Sequence, residues 1–125
     1  MITISANYLW TEISPNLDIA ERDVATDAQR KRFAELVDQW RAATEHLSSV
    51  TERSSHPAYR EVVAMGAPAI ALILKELLDR PDGWFDALYE ITRIDPVTDD
   101  QRGKMNEMVA AWVQWGRNER YLRSA

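Results

Sequence analysis

MGAPAIALILKELL, residues 65 to 78, is the most continuously apolar stretch of the chain. Gly66 and Pro68 lead into it and Pro81-Asp82-Gly83 follows it, so turn signals bound it on both sides. Pro68 falls in a first helical turn, where its missing N–H is no loss. Ile70, Ile73, Leu74, Leu77 and Leu78 recur at helical spacing, and Ala71 and Leu72 widen that stripe until only Lys75, Glu76 and Asp79 are left polar. A helix that is apolar around most of its girth is covered on more than one side. The spacing predicts the central buried helix of a small all-α domain, with the rest of the chain as its covering.

Upstream, His56-Pro57 opens a short helix, since proline is tolerated where no N–H partner is needed. Tyr59, Val62, Val63 and Met65 give it an apolar side, and Gly66 ends it in a left-handed turn. The stretch before it, Ser48 to Ser55, reads as a polar loop. A longer helix is predicted from Asp27 to Leu47. Thr26 and Gln29 have the spacing of a capping box, and Phe33, Leu36, Val37, Trp40, Ala43, Thr44 and Leu47 share one face.

Downstream, a helix is predicted over Trp84 to Thr92 with Asp82 as its cap. Trp84, Leu88 and Ile91 form its inner row, with Phe85 and Tyr89 beside them. Asp95-Pro96 ends it. A last helix is expected from about Asp99, where Thr98 and Gln101 repeat the capping-box spacing. Its expected buried face is Met105, Met108, Val109, Trp112 and either Trp115 or Gly116. Arg117, Arg120 and Arg123 suit the negative C-terminal end of its dipole.

Residues 1–26 read as an N-terminal arm, irregular or with a short strand where Ile2 and Ile4 alternate with polar residues. Tyr8, Leu9 and Trp10 are its large apolar groups, and Ser14-Pro15-Asn16 interrupts it. Such an arm either lies on the helical core, anchored by Tyr8 and Trp10, or docks on a partner chain. The expected fold is all-α: about five helices in a compact antiparallel array over residues 27–125, with short links between neighbours.

Gly66-Ala67-Pro68-Ala69-Ile70 followed by Leu74 and Leu77 or Leu78 resembles the opening of the second helix in a HEAT-like repeat pair. The resemblance covers one and a half to two repeats, and no clean internal period accompanies it. A second likeness covers most of the domain. Trp40 with Glu45 to Ser49, His56-Pro57-Ala58-Tyr59, Met65-Gly66, Trp84-Phe85-x-Ala87-Leu88, Ile91-Thr92, Asp95-Pro96-Val97, Gly103 and Met108-x-x-Ala111-Trp112-x-x-Trp115-Gly116 carry it. Together these resemble a widespread bacterial family of small helical proteins with no assigned activity. The resemblance implies a scaffold and lends no catalytic residue. Arg93 stands where that pattern leads one to expect a glycine.

The chain has 125 residues, a net charge of −5, five tryptophans and no cysteine. That length suits one domain with a real core. The acidic balance argues against general binding to nucleic-acid phosphates, which needs clustered Lys and Arg. Without cysteine there is no thiol catalysis, zinc–thiolate site or iron–sulfur cluster, and a cytoplasmic location is the natural expectation. The first eighteen residues lack the basic and apolar regions of a signal peptide. No apolar run is long enough to span a bilayer.

Chemistry-bearing patterns are sparse. His46 and His56 are the only histidines, and no HExxH, phosphate-binding glycine loop or G-x-S-x-G is present. Either histidine, with nearby hydroxyls or carboxylates, would be needed for a small hydrolase or nucleotide-handling enzyme. Ser48, Ser49, Thr51, Ser54 and Ser55 read as turn and cap residues. Asp79, Asp82, Asp86 and Glu90 read as a solvated acidic face. Arg117, Arg120 and Arg123 are the residues for any local nucleic-acid contact. The favoured reading is a non-enzymatic interaction module without cofactor, catalytic residue or metal. Its expected partner is another protein or a second copy of the chain, in the manner of a regulatory or toxin-neutralising subunit. Tyr8, Trp10, Trp115, Arg117, Arg120 and Tyr121 are the candidate contacts, because aromatic residues and arginine dominate binding hot spots.

Overall fold

A computed structural model describes residues 22–123, and these contain six α-helices and no strand. They are α1 (Asp27–Thr44), α2 (Val50–Ser54), α3 (Pro57–Met65), α4 (Pro68–Asp79), α5 (Phe85–Thr92) and α6 (Met105–Asn118), with a single 3-10 turn at Asp99–Gln101. The all-α expectation holds. Most of the arm, including Tyr8 and Trp10, lies outside the described residues.

The central stretch is the hub of the packing. Seven residues of α4 are buried: Ala69 through Leu74 without a break, then Leu77. The helix packs against α1, α3, α5 and α6, which explains its apolar girth. Leu78 is the exception to the predicted stripe. It is 43 % exposed, because the four covering helices leave one side of the last turn open.

The α1 cap forms as its spacing predicts. Gln29 N donates to Thr26 Oγ1 at 3.0 Å and Thr26 N donates to Gln29 Oε1 at 2.8 Å. Phe33, Leu36, Val37, Trp40 and Thr44 are buried along one face. The helix stops at Thr44 rather than Leu47, and Ala43 is exposed. The predicted polar loop after it contains the one-turn α2, capped by Ser49. Ser54 and Ser55 donate back to Val50 and Thr51 carbonyls, so these hydroxyls serve the turn. Glu52 in its first turn and Arg53 in its last suit the helix dipole.

An aromatic cluster joins α1, α3 and the start of α5. Trp84 stacks on Tyr59 at 4.6 Å with 4° between planes, and Trp40 tilts against Trp84 at 4.7 Å. All three are fully buried. The Trp40 indole donates to Arg53 O at 2.7 Å, while Trp84 Nε1 has no partner. Gly83 makes the approach to Trp40 feasible. Its φ is +77°, and an added Cβ would stand 2.4 Å from the Trp40 ring.

The cap of α5 differs from expectation. Trp84 occupies the cap position, which a side chain without an acceptor cannot fill. Asp82 is turned elsewhere, 2.7 Å from Arg53 and 3.7 Å from Arg41. The missing acceptor comes from α3: the Tyr59 hydroxyl accepts from Ala87 N and donates to Gly83 O, both at 2.9 Å.

The last helix also begins later than predicted. The Thr98–Gln101 pairing forms, with Thr98 N donating to Gln101 Oε1 at 2.8 Å, but it closes only the 3-10 turn. Gly103 at φ +83° then breaks the run before Met105. Met105 is consequently exposed, Met108 and Val109 are half-buried, and Trp112, Val113 and Gly116 form the buried face. Gly116 lets α6 approach α4, since a Cβ there would meet Leu74 Cδ1 at 2.6 Å.

Candidate functional site

The end of α6 builds one wall of a cleft. Its C-terminus closes as a Schellman turn: Tyr121 N donates to Gly116 O at 2.8 Å and Arg120 N donates to Arg117 O at 3.1 Å. Arg120 takes the left-handed position, φ +71°, that glycine usually fills. The reversal lays Tyr121 back over Trp115, with ring centroids 5.4 Å apart and 22° between planes. Trp115 in turn meets the buried Trp112 edge-on at 5.4 Å. Tyr121 is 5 % exposed and Trp115 is half-buried.

Three other segments complete the cleft, whose volume is about 590 Å³. The α3–α4 junction contributes Val63 and Ile70, and Gly66 lies between them at φ +72°. The C-terminal end of α5 contributes Ile91 and the following Ile94. Arg22 stands at the rim. Its guanidinium lies 4.5 Å from the Tyr121 ring centroid and donates to Glu119 O at 3.0 Å and Glu119 Oε1 at 3.2 Å.

The charged groups at the rim are already paired. Glu90 accepts from both terminal nitrogens of Arg60 at 2.6 and 2.8 Å, and those bonds hold its carboxyl below the usual range. Burial raises the Tyr121 phenol above its ordinary value, so it stays neutral. The lining contains no histidine, serine or lysine. The cleft offers aliphatic surface and one stacked aromatic pair, bordered by Arg22, Glu90, Thr92 and Glu119, a mixed set that suits recognition.

The sequence-predicted contacts are divided by the fold. Trp115 and Tyr121 meet in the cleft. Arg117 turns away from it and donates through Nε to Arg123 O at 3.1 Å. Arg120 is exposed at the turn. Val63, Ile70, Ile91, Ile94 and Arg22 line the cleft with Trp115 and Tyr121, and nothing in their sequence pattern marks them as contacts. Helical spacing marks an apolar position, but not whether a neighbour covers it.

The other candidates serve structure. His56 caps α3, its Nδ1 accepting from Ala58 N at 3.1 Å. His46 is exposed in the turn after α1. Asp82 and Glu90 pair with arginines, while Asp79 and Asp86 face solvent. No group of three or more His, Asp or Glu side chains among the described residues is placed to hold a metal ion. None of the described helices is long and apolar enough to cross a membrane.

Fold and site together define an all-α domain with a mixed aromatic and aliphatic cleft at one end. No protein-family model, curated protein or solved structure matches the chain.

Proposed function

We propose that this chain is a cytoplasmic, non-enzymatic interaction module whose cleft at the end of α6 receives an apolar segment of a partner protein. The observation carrying this reading is the half-buried Trp115, stacked on Tyr121 beside Ile91 and Ile94 with Arg22 at the rim. Tryptophan, tyrosine and arginine are the residues most enriched in binding hot spots. The α3–α4 pair, joined through Gly66-Ala67, supports a HEAT-like scaffold in which helices position a surface without supplying chemistry. A regulatory or neutralising subunit, whose work is to bind another protein, fits that design.

Ile94 allows a clean test, because it lines the cleft and is 44 % exposed. Capture from the native host should recover a stoichiometric partner with the natural chain and lose it with Ile94→Arg. A natural chain that stays alone, or a partner retained by Ile94→Arg, rejects the reading.

A further inference from the structure

The cleft sits where the N-terminal segment enters the described fold. Arg22 lines it and is held there by Tyr121 and Glu119 through one cation–π contact and two hydrogen bonds. Twenty-one residues precede that anchor in the sequence, and their large apolar groups are Met1, Ile2, Ile4, Tyr8, Leu9, Trp10, Ile13, Leu17 and Ile19, of which Tyr8 and Trp10 are the aromatic ones. Eleven residues lie between Trp10 and Arg22, a tether of up to about 40 Å when extended. Tethering by a short linker supplies an effective concentration of about millimolar, so even modest affinity for the cleft gives high occupancy. The segment also carries Glu12, Asp18 and Glu21 but no Lys or Arg before Arg22. Its apolar part is therefore the part suited to the aliphatic floor made by Ile70, Ile91 and Ile94.

We infer that the chain's own Ile2–Trp10 segment is a ligand of this cleft, occupying it through Tyr8 and Trp10 when no partner is bound. The inference rests on the reading of the cleft as a docking surface and adds its regulation. The tethered segment competes with the partner, and binding a partner releases it.

Paramagnetic NMR on the full chain tests this without any partner. The absence of cysteine lets Ser5→Cys carry a single nitroxide label. The label should broaden the amide signals of Ile70, Ile91 and Trp115, while the exposed face of α1, which does not line the cleft, stays sharp. Replacing Tyr8→Ala and Trp10→Ala together should abolish the broadening, with the helical amide dispersion as the check on folding. Cleft signals that stay sharp, or broadening that survives the double replacement, overturn the inference. So does broadening seen only between a labelled chain and a separately isotope-enriched chain, which would make a second copy the occupant. Because no partner enters the experiment, its failure is distinct from failure of the capture experiment.

Discussion

The hydroxyl of Tyr59 lies 2.9 Å from the amide nitrogen of Ala87, twenty-eight residues away in the chain, and acts as the cap that α5 lacks. It simultaneously donates to Gly83 O at 2.9 Å, so one buried hydroxyl satisfies a free donor and a free acceptor. Tyr59→Phe keeps the stacking on Trp84 and removes both bonds. It should cost about 1–3 kcal/mol, the cost of leaving buried polar groups unpaired. Chemical denaturation measures the loss, and hydrogen exchange at Ala87 should accelerate. A change within a few tenths of a kcal/mol would mean that water replaces the hydroxyl.

The same burial pushes the Tyr59 phenol well above its ordinary value. The folded protein therefore holds that proton where the unfolded chain releases it. Stability should be unaffected by this group below about pH 10 and fall as pH rises past it. In Tyr59→Phe this alkaline loss should be smaller, which a denaturation series between pH 8 and 11 would reveal.

Gly83 and Gly66 separate backbone strain from crowding. Both have positive φ, but a Cβ at Gly66 meets nothing within 4 Å, whereas one at Gly83 meets Trp40. Gly66→Ala should cost about 1–3 kcal/mol from conformation alone. Gly83→Ala should cost a further ~1–3 kcal/mol, because buried Trp40 must shift. Equal melting temperatures for the two variants would contradict the Gly83 geometry.

Arg93 ends α5 in the left-handed region, at φ +59° and ψ +23°. A side chain there costs about 1–2 kcal/mol, partly offset in glycine by its greater unfolded-state entropy. Arg93→Gly should thus raise stability by up to about 1 kcal/mol and shift the denaturation midpoint upward. A lower midpoint would assign the exposed arginine a stabilising contact.

Trp40 and Trp84 are equally buried but unequally satisfied. Trp40→Phe deletes a hydrogen bond to Arg53 O, and Trp84→Phe deletes a donor that has no partner. The Trp40 change should be the more costly of the two, by about 1 kcal/mol. The opposite order would show that Trp84 Nε1 is solvated.

Most of the helical framework was legible in the sequence, because its determinants are local. The Thr26–Gln29 box, the proline of α3 and α4, the Gly66 stop and the apolar girth of α4 each act within a few residues. Where expectation failed, a competing interaction lay farther along the chain. Asp82 was a reasonable cap by position, but Arg53 and Arg41 hold it elsewhere. Met105 and Leu78 fit their stripes, yet no helix covers them. Trp115 and Tyr121 were legible as aromatic groups near the chain end. That a left-handed Arg120 turns one ring onto the other was not, since arginine carries no signal for that conformation.

By its own residues, then, the sequence determined an all-helical chain with a buried α4 and an aromatic-rich core, since helix initiation, termination and amphipathicity are short-range. Only the tertiary structure decided which residues meet. Tyr59 caps α5, and Val63, Ile91 and Trp115 share one cleft with Arg22, because packing four helices around α4 brings distant segments to one end. Spacing along a chain measures which face a residue occupies. Exposure and pairing depend on what the other helices cover.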